Sequence, residues 1–286
     1  MPKTAEEVVI SFVDAINQGD HHRLASLIAQ DHVFMDIKGE TFSSLENLNQ
    51  GWQEYLRDHP DYAIYIRLIY TCENSVVLIG HTTGSHLNLS DLVEFHTEGV
   101  IWLARVQQEK VSFWQIIADT QENFGGLRLE NYHMIFVPEL YAATIAKHLD
   151  LLPPGTRTHD VSDVRKYYSR EYQNAAPEEI LQLGEKLLFD EGYRFVSYEL
   201  IHDHPGAVDA LSPDRVMGLG KNIDDWFSVD SYAQFIAGPA WKKGILRDEH
   251  IDSWIASDNL WWRCAAAVST IYLGGDVERM LRYTAQ

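Results

Sequence analysis

Asn123-Phe124-Gly125-Gly126 divides this sequence into two kinds of chain. Before it, Ala63 to Cys72, Ser75 to Thr83, Gly99 to Gln107 and Val111 to Asp119 are rich in β-branched and aromatic residues, as strands are. After it that pattern stops, and apolar residues recur at three- and four-residue spacing, as on helices. The glycine pair is the best hinge between the two patterns. The expected organisation is a domain over residues 1–126 and a second over 127–286.

Working back toward the start, Thr4 and Glu7 have capping-box spacing, and Val8, Val9, Phe12, Val13 and Ile16 follow at helical intervals. Gly19-Asp20 stops that helix and starts another, with Leu24, Leu27 and Ile28 on its inner side. A short strand from His32 to Met35 ends at Asp36 and the Gly39 turn. Ser43 and Glu46 repeat the capping-box signal for a third helix carrying Leu45, Leu48, Trp52 and Leu56. Glu73-Asn74 and Gln108-Glu109 are short enough for hairpin turns. Helices followed by an antiparallel meander predict an α+β domain, a curved sheet wrapped on a long helix. Such a cone leaves a hole suited to a small molecule.

Working forward, Val137 to Leu149 is helical in pattern, Asp160 caps a helix through Tyr172, and Pro177-Glu178-Glu179 is a proline-plus-acid first turn. Tyr193 to His202 makes another helix, and Ser212-Pro213-Asp214 opens the next. Helices follow at 230–236, 249–255, 260–272 and 277–283. Helix pairs repeating at roughly 35–40 residues predict an all-α solenoid.

Composition bounds the function. The formal net charge is −19. Residues 127–286 hold 16 Lys and Arg against 24 Asp and Glu, a net of −8, and the remaining −11 lies in the first domain. Such a chain repels phosphate on average, so unspecific nucleic-acid binding is a poor expectation. Cys72 and Cys264 fall in different domains and imply no disulfide framework, which suits a reducing compartment. With no signal-type start and no long apolar run, the expected location is the cytoplasm and no membrane partner is expected. His202-Asp203-His204 has no third ligand at convincing spacing, so neither metal nor cofactor is expected.

Two resemblances follow from particular motifs. Ala15-Ile16-Asn17-Gln18-Gly19-Asp20 and Ala29-Gln30-Asp31-His32-Val33-Phe34-Met35-Asp36 resemble the SnoaL-like, nuclear transport factor 2-like superfamily over about residues 3–125. The resemblance places Asp36 where the superfamily's ketosteroid isomerases keep their base. A carboxylate in an apolar pocket can shuttle a proton beside a carbonyl. The structural alternative is that Asp36 caps the strand end and its turn. The tyrosine that would polarise the substrate oxygen corresponds to Phe12, which has no donor. Tyr55, Tyr65, His81 or Trp114 would have to supply one, and Asp119 stands where SnoaL-like cyclases carry an acid.

Asp225-Trp226-Phe227-Ser228-Val229-Asp230, with Trp254-Ile255-Ala256-Ser257-Asp258-Asn259-Leu260-Trp261-Trp262-Arg263-Cys264-Ala265-Ala266-Ala267-Val268, is similar to the AlkD-like DNA alkylation repair family, a HEAT-like-repeat fold. The resemblance covers roughly residues 131–286. It implies that Trp226 packs against the sugar beside an alkylated nucleotide, with a cation–π contribution from a charged purine, and that Asp230 stabilises the sugar as the glycosidic bond breaks or positions water. The alternative for this pair is a core aromatic followed by a helix cap. The family's phosphate-gripping arginine aligns with Cys264. Arg263 falls one place earlier, about 100° around a helix. Family members also continue with further helices, whereas this sequence stops at Gln286. Cys264 otherwise reads as a small core residue.

Three functions fit. The first is recognition or excision of alkylated purines, active or degenerate, using Asp230, Trp226, Trp261, Trp262 and Arg263. The second is small-molecule chemistry of the isomerase, cyclase or hydrolase kind in the cone, using Asp36 with Tyr55, His81, Trp114 and Asp119. The third is a non-catalytic interaction protein. The partners these readings admit are alkylated DNA, a small molecule in the cone, and a second copy of the chain through the N-terminal sheet.

Overall fold

A computed structural model describes residues 2–97, 99–274 and 276–284. It divides into two compact units, residues 1–144 and residues 145–286.

The first unit is α+β, as expected. Helix α1 (Ala5–Asn17) starts on the Thr4–Glu7 capping box and buries Val8, Val9, Phe12, Val13 and Ile16. Then come α2 (His21–Leu27), β1 (Ile28–Met35), β2 (Thr41–Phe42) and α3 (Leu45–Asp58). The cap of α3 is Ser44, which accepts from the Asn47 amide, one residue later than the Ser43–Glu46 spacing predicts. Strands β3 (Ala63–Cys72) and β4 (Ser75–Thr83) are followed by α4 (Asp91–Thr97), β5 (Gly99–Gln107) and β6 (Lys110–Ala118). The Gln108-Glu109 turn puts both residues at positive φ, which matches the twist of a two-residue hairpin.

Sheet order is β2-β1-β6-β5-β4-β3, closed on its far edge by β7 (His133–Ile135), which pairs with β3. The glycine pair lies in a short helix, α5 (Gln121–Gly126), and the chain returns to the sheet after it. Helix α6 (Pro138–Asp150) begins against that edge. The Tyr141 hydroxyl accepts from the Ile69 amide and donates to the Ile135 carbonyl, and Thr144 donates to the Ile66 carbonyl at 2.6 Å. These bonds tie the start of α6 to the sheet, so the compact division falls inside α6.

Register decides which side chains share a face. Unbroken pairing through β4, β5 and β6 around this stretch puts Leu78, Gly80, Trp102, Val100 and Trp114 on one face and His81, Gly99 and Asp119 on the other. Phe12 of α1 packs on Trp114 at 4.9 Å between ring centroids, so the Trp114 face is the one that α1 covers. Gly80 lies where strands approach closely: a Cβ there would sit 1.9 Å from the Tyr65 carbonyl oxygen.

In the second unit every described element is helical. After α6 come α7 (Thr158–Glu171), α8 (Pro177–Phe189), α9 (Arg194–Asp203), α10 (Pro213–Leu219), α11 (Trp226–Tyr232), α12 (Gly238–Lys242), α13 (Asp248–Ile255), α14 (Leu260–Ser269) and α15 (Val277–Thr284). Neighbours pack as pairs, α8 on α9 and α13 on α14, as a solenoid requires. Arg165 of α7 is buried and forks onto two residues of α9, donating to Glu199 at 2.9 Å and pairing with Asp203. Arg215 of α10 reaches back to Glu185 and Glu178 on α8 at 2.7 Å each.

The expected helix over 230–236 is resolved differently. Helix α11 starts at Trp226 and runs into a π-helical segment, Ala233–Ala237. Pro239 follows and has no N–H for the Phe235 carbonyl four residues back. His202 bonds that carbonyl through Nδ1 at 3.1 Å. His204 bonds the Ala175 carbonyl through Nε2 at 3.1 Å. The His202-Asp203-His204 run therefore serves the fold, and no His, Cys, Asp and Glu group suited to a metal occurs among the described residues. No described helix is long and apolar enough to cross a membrane.

Candidate functional site

The helical unit presents an aromatic corner. Asp225 caps α11, accepting from the Ser228 amide at 2.8 Å and the Ser228 hydroxyl at 2.5 Å. These bonds hold its carboxyl below the usual carboxylate range. The cap places Trp226 in the first turn, where it is 61% exposed. Its ring meets that of Trp261 in α14 at 5.4 Å and 84°, an edge-to-face contact. Asp230 follows one turn later on the same side of α11 and is exposed. Trp226 is thus not a core residue, and Asp230 is not a cap.

Beside the pair lies a shallow, partly open hollow of about 20 Å³, lined by Gly220, Asn222, Ile223, Asn259, Trp261, Trp262 and Ala265. Trp262 forms its wall, packed on Trp254 at 4.9 Å and Tyr232 at 6.0 Å. Gly220 allows that packing: a Cβ there would lie 2.6 Å from the Trp262 ring and 2.7 Å from the Tyr232 ring. Asn259 caps α14 by accepting from the Trp261 amide at 2.8 Å. Arg263 is turned to the chain, donating to the Ser257 carbonyl at 2.6 Å. Cys264 next to it is half-buried. Burial pushes its thiol up, Arg263 opposes this, and Asp230 adds to it. Asn222 and Asn259, which give the hollow its amides, went unread in the sequence. The signals were a non-glycine turn residue at 222, found at positive φ, and a cap position at 259.

The α+β unit does not gather its candidates. Asp36 Oδ1 accepts from the Lys38 and Glu40 amides at 2.9 and 2.8 Å, holding the β1–β2 turn. This is the turn-capping alternative in full. Phe12, Trp52, Trp114 and Phe34 pack together where a ligand was expected. His81 and Asp119 occupy the opposite sheet face from Trp114. His81 stacks on Phe95 at 4.5 Å, and Tyr65 meets the same ring at 5.7 Å. Asp119 pairs with Arg67 at 3.1 Å. The Tyr55 hydroxyl accepts from the His86 amide at 3.4 Å, and burial pushes its pKa up to about 12. The sequence reading missed Glu94 of α4, which is fully buried and accepts from the Thr82 hydroxyl at 2.6 Å and the Ser85 amide at 3.1 Å. Its helix is only seven residues long, too short for a clear helical period.

A search of curated proteins finds no match. Solved structures of low identity match the N-terminal portion. One is an uncharacterized cystatin-fold protein from Novosphingobium aromaticivorans, 16% identical, covering 40% of this chain and 98% of that one at a TM-score of 0.35. Another is a SnoaL-like protein of unknown function from Burkholderia thailandensis, 14% identical, covering 41% and 95% at a TM-score of 0.34. A third is a nuclear transport factor 2-like protein of unknown function from Cytophaga hutchinsonii, 13% identical, covering 43% and 97% at a TM-score of 0.34. Residues 150–284 match the family model described as DNA alkylation repair enzyme, and this stretch holds the whole aromatic corner. The helical half of the chain therefore carries a domain of the DNA alkylation repair family.

Proposed function

We propose that the helical unit recognises N-alkylated purines at the Trp226–Trp261 corner and promotes loss of the alkylated base. The exposure of Trp226 beside Trp261, one turn from Asp230, carries this reading. Alkylation of a purine ring nitrogen leaves a positive charge on the ring. An open indole face attracts such a ring, by about 0.5–2 kcal/mol depending on desolvation. When the bond from the sugar to the purine breaks, the base leaves with the electron pair and becomes neutral, and positive charge moves to the sugar. Asp230 would stabilise that charge. Water then adds to the sugar carbon and gives up a proton. Proton abstraction by Asp36 in the cone is the weaker reading, because the turn amides already hold its carboxylate.

The test is release of methylated base from methylated DNA and from the methylated nucleoside, by the wild type, Trp226→Ala and Asp230→Asn. Release by the wild type that both variants reduce at least about tenfold is expected. Absence of both release and binding for every methylated purine would overturn the reading.

A further inference from the structure

The charges around this corner are unevenly available. Asp224, Asp225 and Asp230 flank Trp226, Asp258 precedes α14, and all four are exposed. Two nearby cations are engaged with the main chain. Arg194 donates to the carbonyls of Lys221 and Asn222 at 3.2 and 3.3 Å and to the Tyr198 hydroxyl at 3.3 Å. Arg263 donates to the Ser257 carbonyl. A guanidinium held by carbonyls has fewer donors left for phosphate, and Lys221, which is exposed, is one further cation against four acids.

The hollow points the same way. Asn222 and Asn259 are among its lining residues. The Asn259 oxygen is occupied by the Trp261 amide, which leaves its two N–H donors for the carbonyl or ring-nitrogen edge of a base. An aromatic face, a carboxylate and amide donors suit a flat cationic heterocycle. They do not suit a run of phosphates, which would meet the acids first.

Resting on the alkylated-purine reading above, we propose that the ligand of this corner is a free N-alkylated purine nucleoside, charged on its ring and carrying no phosphate, rather than a stretch of duplex DNA. Trp226 would face the charged ring, Asp230 would balance it, and Asn222 and Asn259 would hold its edge.

The test is calorimetric titration of the intact protein at low and high salt. The probes are 7-methylguanosine in mildly acid buffer, guanosine, and a methylated duplex oligonucleotide. The expected result is 7-methylguanosine bound about tenfold tighter than guanosine, a preference of cation–π size. Its affinity should change little with salt, and the duplex should bind more weakly. Trp226→Ala and Asp230→Asn should each lose the preference while keeping the wild-type melting curve. Tighter binding of the duplex, weakening steeply with salt as phosphate contacts do, would overturn the nucleoside assignment and leave the alkylated-purine reading standing. Binding of neither methylated probe would overturn both.

Discussion

Trp114 and Trp226 are the same side chain in opposite uses. Trp114 is fully buried in the α+β unit, against Phe12. Trp226 stands in solvent at the start of a helix, touching Trp261 along an edge. The first unit seals Trp114, whereas the second, which buries Trp254 and Tyr232, leaves Trp226 open. An aromatic that contributes to stability is sealed by neighbours, and one that recognises a ligand must keep a face open. The difference is the reason for proposing the recognition chemistry in the helical unit, although both units offered candidate acids.

The sharpest way to break this comparison is to truncate both rings. Trp114→Ala should cost about 3–5 kcal/mol of stability in denaturant unfolding, the usual cost of emptying a packed aromatic site. Trp226→Ala should stay within about 0.5 kcal/mol of the wild type. Equal losses would mean that Trp226 is a core residue after all.

Arg165 tests the polar contact buried between α7 and α9. Arg165→Ala leaves Glu199 buried without its partner and should cost about 3 kcal/mol or more. An Arg165→Ala variant as stable as the wild type would show that the fork between α7 and α9 adds nothing. Gly220→Ala probes the wall of the hollow. The added methyl must displace Trp262 or Tyr232, for about 1–3 kcal/mol. Methylated-purine binding should weaken with it. Full binding in that variant would detach the hollow from the corner.

The smallest effect concerns acid. His32 bonds the Val111 carbonyl through Nδ1 at 2.7 Å, while its buried Nε2 has no hydrogen-bond partner among the described residues. Burial holds its pKa below the ordinary 6.5, against the pull of the Val111 bond and of Asp31. The neutral ring is thus favoured in the fold, and the unfolded chain takes up the proton first. Its contribution is complete above pH 6.5 and is lost as the pH falls below that toward the folded value. Melting temperatures should drop on acidification, and His32→Asn, which keeps the donor and does not titrate, should flatten that limb. An unchanged limb in His32→Asn would move the effect elsewhere.

Much of the fold was legible where local chemistry alone decides. Thr4 and Glu7 cap α1 because the box is a local arrangement. The four long strands follow from their residue types. Three-residue β7 was not legible, because so short a run has no measurable period and exists only through pairing with β3. The site was half legible. The Trp226–Asp230 spacing could be read, but the helix start could not, since Asp225 and Asp230 have the same capping chemistry. Nothing in the residue string says that Trp262 packs inward while its neighbour Trp261 meets Trp226.

By itself the sequence determined two units, α+β then helical, and the residues of the aromatic corner, because periodicity, caps and residue spacing are properties of neighbouring residues along the chain. Only the tertiary structure decided which of those residues act together. It joined Asp36 to turn amides, set His81 and Asp119 on the sheet face opposite Trp114, and turned Arg263 to a carbonyl. Those outcomes depend on register, on packing and on which donor first meets an acceptor, and each is settled between segments far apart in the chain or by the turn that the backbone takes.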